Sequence, residues 1–592
     1  MSGNFLAQPL RLLSLLAIVA ALIAPAAQAA SAAEQLQSII DDHWQYSLQE
    51  DPITASRMGE QGYSDRLPGV SEKDRARRLK AEKTFVERLD KIDSKQLNES
   101  GRINKDLLTW VLNNSIEGNE LYLDRIPVNT FYSFWSAALD ASSGLNMPKV
   151  SDYENYIKRI QDFGRYFDEN LANMRAGVKD DFVLPKIVVE GIAPTVRAQV
   201  YEDPTESSLY EPFTNLPKSF TAEDKKRLQT AGAAAIRDHA IPAFDRVATF
   251  LEGDYMKAAS ASLAAQDLPG GQDYYRHAIR TYVTMDMAPA EIHKIGLAEV
   301  KRIREEMNQL ITDSGFNGGF DEFTEFLRTD PQFYAKTPRE LLKEASYIAK
   351  RIDYRLPEFF GKLPRLPYGV VPVPDEIAPN YTTASYNPAA IGGTRGGAYW
   401  VNTHALDQRP LYELVALTLH EAVPGHHLQG ALSQELENVP DFRRNLYLSA
   451  FGEGWALYTE RLGTEMDVYE TPYQHFGRLS YEMWRAARLV IDTGLHSQGW
   501  TRQQALDFLA DNTSLSMANV RAEVDRYISW PGQALSYKMG EIKIRELRAR
   551  AEKALGEKFD LRAFHDAVLA NGALPLEMLE VQMNRFIAEQ KP

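Results

Sequence analysis

Three of the chain's eleven histidines fall within eight residues, His420-Glu421-Ala422-Val423-Pro424-Gly425-His426-His427, with a carboxylate directly after the first. Two imidazoles meeting on one ion, beside a carboxylate able to take a proton from water, are the working parts of a zinc hydrolase. The run is the helical H-E-x-x-H pattern stretched by a Pro-Gly insertion. In an unbroken helix the second ligand sits at i+4. Here that position is Pro424, which binds nothing and removes a helical hydrogen bond. His427, at i+7, lies on the correct face but about 10.5 Å along an ideal axis, too far to share a zinc. The helix must therefore bulge or break at Val423-Pro424-Gly425 and return either His426 or His427 to His420.

A third ligand has to come from elsewhere, and the chain contains no cysteine, so it must be His, Asp or Glu. The segment Phe451–Glu460 carries Glu453 and Glu460, seven residues apart and hence on one helical face. Glu453 is preferred: it lies between Gly452 and Gly454, where backbone can come close to a metal. The expected cofactor is one zinc per chain, although a His/His/Glu set also accepts other divalent ions.

The elements that must position these residues read as mainly helical. Apolar residues recur at helical spacing over Ala33–Gln49 and Val150–Met174, and Asp74–Ile92 reads as a charged, solvent-facing helix. Further helices are predicted at Ala222–Glu252, Ala288–Thr312, Pro338–Arg355, Pro410–Ala422, Phe442–Leu462, Tyr473–His496 and Arg502–Asp511. Strand signals are confined to Tyr368–Val373 and Gly397–Asn402, around a Pro/Gly-rich irregular stretch, Phe360–Arg395. The expected fold is mainly α: a large two-lobed helical protein with a small sheet next to the metal-binding helix. Residues 30–285 would form an N-terminal lobe and 286–592 the catalytic lobe.

At 592 residues, with 44% hydrophobic and 25% charged residues, the chain can bury a large core. Its formal charge of -15 argues against nucleic acid or an anionic membrane as partner. Residues 1–29 read as a secretory signal: Arg11, the apolar run Leu12–Ala24, which is short for a membrane span, then Ala27-Gln28-Ala29 as the cleavage pattern. No later apolar run is long enough to cross a membrane. With no cysteine for lipid attachment or disulfides, the expected location is periplasmic or secreted.

The run His420–Gln429, together with Gly452-Glu453-Gly454-Trp455-Ala456-Leu457-Tyr458, resembles the bacterial domain-of-unknown-function 885 family. So do Thr281–Met307, Asp492–His496 with Gly499-Trp500-Thr501, and Arg526-Tyr527 with Pro531–Lys538. The resemblance covers most of the chain after the signal. That family in turn looks similar to gluzincin zinc metallopeptidases of thimet-oligopeptidase and Taq-carboxypeptidase type. Those enzymes place a Gly-His pair at the second ligand, which makes His426 the ligand here and His427 a residue that either supports the ligands from behind or faces substrate. The same resemblance implies Glu453 as third ligand and Glu421 as general base. It also likens Gly397–Asn402, with Tyr399, to an edge strand that pairs with substrate backbone.

Similar enzymes use a Tyr or His to stabilise the oxyanion, and His496, Tyr527 and Tyr537 are the candidates, with Tyr537 first. Among 28 tyrosines, any one taken alone carries little weight. Arg488, Arg526 and Lys538 are candidates for holding a peptide's C-terminal carboxylate. The implied activity is hydrolysis of short peptides, as a carboxypeptidase or an oligopeptidase. The rivals are a zinc-dependent amidase on a non-peptide or cell-wall amide, and a non-catalytic peptide binder. Oligomeric state is not legible in the sequence.

Overall fold

The computed structural model describes residues 30–142, 145–375, 377–389 and 395–591. The expected signal segment lies outside them. The protein is mainly α-helical with one three-stranded sheet, as its periodicity predicts.

Most predicted helices form within a few residues of their expected bounds. Ala32–Glu50 opens on a capping box in which Ser31 and Glu34 each satisfy the other's backbone N–H. Val150–Met174 is two helices, Val150–Gln161 and Phe163–Lys179, parted at Asp162. Phe442–Leu462 likewise divides into Asp441–Asn445 and Ser449–Glu465.

The helices that carry the site are α1 (Pro289–Asp313), α2 (Leu414–Glu421), α3 (His426–Gln434), α4 (Ser449–Glu465), α5 (Pro472–Ser497), α6 (Met517–Ser529) and α7 (Ser536–Leu555). Helix α5 is the mast of the molecule. Tyr481 packs in one apolar core, Ala487, Ile491 and Leu495 in a second, Phe476, Met483 and Val490 in a third, and Leu489 in a fourth. A helix buried on every side must find internal partners for each polar residue it carries.

The two large cores interleave distant parts of the chain. One joins Leu36, Phe85 and Leu107 to Val415, Trp455 and Ile544. The other joins Tyr156, Phe167 and Phe244 to Ile491, Val524 and Tyr527. Neither core stops at residue 285.

The sheet contains β1 (Tyr368–Pro372), β2 (Ala384–Asn387) and β3 (Gly397–Val401), in the order β1-β3-β2. Strand β3 runs parallel to β1 and antiparallel to β2, with Tyr399 opposite both Val370 and Tyr386. The expectation that Gly397–Asn402 offers a free edge is therefore corrected: both its edges are paired. The rim strands are β1 and β2, both inside the stretch Phe360–Arg395, and β2 carries no strand signal in the sequence.

Candidate metal centre

The first half of the site is made by a broken helix. Helix α2 ends at Glu421, and Ala422 leaves the helical region at φ -97°, ψ -104°. Helix α3 restarts at His426. Gly425 makes the turn possible: a Cβ there would stand 1.9 Å from the His420 carbonyl oxygen and 2.4 Å from that of Leu419. No other residue fits so close to backbone.

Helix α4 satisfies the carbonyls that the break exposes. Trp455 Nε1 donates to the Pro424 carbonyl at 2.8 Å, and the Thr459 hydroxyl reaches the Leu419 carbonyl at 3.0 Å. The same helix supplies Glu453 and Glu460. The glycines beside Glu453 serve packing rather than approach to a metal. Gly454 crosses Gly540 of α7 backbone to backbone, and Gly452 leaves room for the ring of Tyr447.

His420, His426 and Glu453 converge, their donor atoms all within 4.8 Å of one another. Glu453 Oε2 lies 3.5 Å from His420 Nε2 and 3.3 Å from His426 Nε2. Direct charge-assisted hydrogen bonds between such groups run about 2.7–2.9 Å. Ligand atoms around a tetrahedral zinc, each about 2.0–2.2 Å from it, stand about 3.3–3.5 Å apart. The donor set and its spacing thus fit a small divalent cation.

Electrostatics favour positive charge at this point. Burial opposes charge on His420, but Glu453 and Glu460 outweigh it and push the imidazole up to about 10. Burial also opposes ionisation of Glu453, yet His426 and His420 outweigh it and hold the carboxyl well below its usual range.

Around the trio, Glu460 Oε1 meets His420 Nδ1 at 2.7 Å, on the opposite side of the ring from Glu453. Tyr447 donates to Glu453 Oε1 at 2.8 Å. Glu421 accepts the Tyr386 backbone N–H at 2.8 Å, which ties it to β2. Tyr447 was not picked out by sequence, because it precedes α4 in a loop with no motif of its own.

These groups open into a cleft of about 560 Å³. Its lining includes Glu421, Glu453, Tyr386, Tyr447, Arg526 and Tyr537. Glu421, Tyr537, Arg526 and Arg488 thus line the same cleft as His420, His426 and Glu453.

Other expected site residues lie elsewhere. His427 is buried between the rings of Tyr368 and Tyr386, with Nδ1 3.1 Å from the Tyr386 hydroxyl, and burial lowers it to about 4. It packs behind the sheet and does not line the cleft. Tyr399 is fully buried on the central strand, its hydroxyl 3.3 Å from Thr418 Oγ1. His496 is fully buried, its Nδ1 accepting the Ala265 N–H and its Nε2 facing the Tyr527 carbonyl at 2.9 Å.

Tyr527 stands behind the cleft wall, where its hydroxyl joins Trp484, Arg488 and Glu523. Lys538 is wholly buried, with Glu482, Glu541 and Glu299 at 2.8, 2.9 and 3.0 Å. A side chain so enclosed by carboxylates cannot reach a ligand.

Fold and site together define a mainly helical protein with a two-histidine, one-carboxylate cluster built on an interrupted helix. The chain belongs to the bacterial protein family of unknown function DUF885, whose model matches residues 52–583. It is similar to a solved structure described as "the putative lipoprotein from Colwellia psychrerythraea" (27% identity, TM-score 0.88, covering 94% of this chain and 100% of that one). It shares its fold with a "putative lipoprotein of unknown function from Shewanella oneidensis" (18% identity, TM-score 0.72, with coverage of 94% and 100%). Among curated proteins, none matches the chain. Among the described residues, no helix is long and apolar enough to cross a membrane.

Proposed function

We propose that this protein is a zinc-dependent hydrolase of peptide bonds in short peptides, with a gluzincin-like site. The observation that carries the reading is the 3.3 and 3.5 Å spacing of His426 and His420 nitrogens about one Glu453 oxygen. His420, His426 and Glu453 would hold the zinc, which when bound would supply Lewis acidity toward water and a carbonyl.

The chain's own residues do the rest. Glu421, next in sequence to a ligand and fixed by the Tyr386 N–H, takes a proton from the attacking water. As the C–O bond forms and the C–N bond breaks, that proton passes to the departing amine. Tyr537, in the cleft wall, is the candidate donor to the oxyanion. A cleft of about 560 Å³ admits a few residues of extended chain and excludes a folded protein.

The two structural neighbours carry the description of lipoproteins, which supports an envelope location, periplasmic or secreted, for this chain too. The chain itself has no cysteine to bear a lipid.

The test is Glu421→Gln, purified with zinc and incubated with a mixed peptide library read by mass spectrometry. Wild type should cleave, and the variant should keep its zinc and lose turnover by at least about 100-fold. Unchanged turnover would remove Glu421 from the mechanism, and no cleavage by zinc-loaded wild type would overturn the peptidase reading.

A further inference from the structure

Helix α5 is enclosed on all sides, so each charged residue it carries needs a partner. Glu482 meets Lys538 and Arg478 at 2.8 and 2.9 Å. Arg488 donates through Nε to the Tyr527 hydroxyl and through Nη2 to Glu523. Asp492 accepts from the Tyr275 hydroxyl and the Gly532 N–H. Arg485 alone among them has no ion pair or hydrogen bond among the described residues.

It is nevertheless 7% exposed, and its Nε and Nη1 are buried without a partner. Its guanidinium is packed by rings: Trp484 at 4.3 Å, Tyr481 at 4.8 Å and Tyr537 at 5.9 Å. Glu413 acts on it electrostatically, but no ion pair joins the two. A buried guanidinium left with free N–H groups is expensive unless something outside the chain completes it.

Arg485 faces the cleft of the metal cluster, and it is not alone there. Arg488 Nη1 and Arg526 Nε are also buried without partners. Arg526 gives Nη2 to Gln533 at 2.9 Å and stands 3.6 Å from Glu523. Glu523, which also lines the cleft, pairs with Arg488 and stands near Arg526, and no ion pair joins it to Arg485 among the described residues. The same cleft is lined by His420, His426, Glu453 and Glu421. One cleft thus carries both a group of guanidiniums and the His420/His426/Glu453 cluster.

We infer that Arg485, with Arg488 and Arg526 beside it, binds the free C-terminal carboxylate of a peptide whose scissile bond lies at the His420/His426/Glu453 cluster. The protein therefore trims peptides from the C terminus. A carboxylate matches the planar fork of a guanidinium, and it would accept from the N–H groups of Arg485 that no described residue accepts from. The assignment rests on the peptidase reading for the reaction, but not for the anion seat itself.

The test uses the full zinc-loaded chain and three N-acetylated peptides of one sequence: free acid, C-terminal amide, and an amide ending in Glu. Wild type should remove residues from the C terminus of the acid and cleave both amides at least about 10-fold more slowly. In Arg485→Met, which keeps the length of the packed side chain, the acid-to-amide ratio should fall toward one. Equal cleavage of acid and plain amide by wild type overturns the inference without recourse to any variant. Cleavage of the Glu amide as fast as the acid, or an unchanged ratio in Arg485→Met, does so as well.

If wild type cleaves none of the three, the peptidase reading has failed. Calorimetric titration of acid and plain amide into zinc-loaded Glu421→Gln then judges the seat separately. Acid binding at least about 10-fold tighter supports it, and equal binding overturns it.

Discussion

Glu460 Oε1 stands 2.7 Å from His420 Nδ1, both side chains fully enclosed, while Nε2 of the same ring faces Glu453. A carboxylate on the far nitrogen fixes the tautomer that leaves Nε2 free to bind metal, and it raises the ligand's basicity. Glu460→Gln preserves shape and removes the charge. Zinc affinity, measured by competition with a chromophoric chelator, should fall about 10- to 100-fold. An unchanged affinity would make Glu460 a packing residue only.

The two adjacent histidines have opposite fates, and substitution should separate them. His426→Ala and Glu453→Ala should each reduce bound zinc well below one per chain after dialysis. His427→Ala should retain it, because His427 lies between Tyr368 and Tyr386 and not in the cluster. Its cost should appear as a lower melting temperature, since it empties a buried ring site. Loss of metal from His427→Ala with retention in His426→Ala would reverse the ligand assignment.

Much of this architecture is legible in the sequence, and the parts that are not share a cause. Long helices such as Pro289–Asp313 and Pro472–Ser497 announce themselves by periodicity. The break at Asp162 does not, because the apolar stripe continues across it from Ile160 to Phe163 and Phe167. Strand β2, Ala-Ser-Tyr-Asn, is four residues long with no apolar alternation, and it is defined by pairing with β3.

The His420/His426/Glu453 trio is readable as residue types and spacing, but its convergence on His426 turns on how closely Gly425 approaches two carbonyls. His496 and Tyr527 look like site residues because similar enzymes use a His or Tyr there, and Lys538 because a cation could hold a carboxylate. The partners of His496 and Lys538, Ala265 and Glu299 among them, lie too far along the chain to be paired by eye. Arg485 fails in the reverse sense: only the absence of a partner in the fold distinguishes it from other arginines.

Acid should unfold this protein partly through His496. Nδ1 accepts the Ala265 N–H at 3.2 Å, so the ring proton sits on Nε2, toward the Tyr527 carbonyl at 2.9 Å. Protonation would set one N–H against another. Burial accordingly lowers its pKa to about 4 from the ordinary 6.5. The unfolded chain binds the proton more readily between those values, so stability is fully present above about pH 6.5 and is lost as pH falls toward 4. The share due to His496 is about 3 kcal/mol at most. Melting temperature followed from pH 7 to 4 should fall more gently in His496→Gln than in wild type, and parallel curves would deny the residue that role.

Lys538 should prove to be a structural charge. Its ammonium is fully buried against Glu482, Glu541 and Glu299, while Arg302 and Arg478 cover other sides of Glu482. Lys538→Met removes the central cation and leaves buried carboxylates under-compensated, at a cost of about 3 kcal/mol. Thermal melts should show the loss directly. In whatever fraction stays folded, the preference for a free C-terminal carboxylate over its amide should be unaltered, because the guanidiniums of the cleft wall are untouched. A collapse of that preference at wild-type stability would return Lys538 to the substrate site and weaken the case for Arg485.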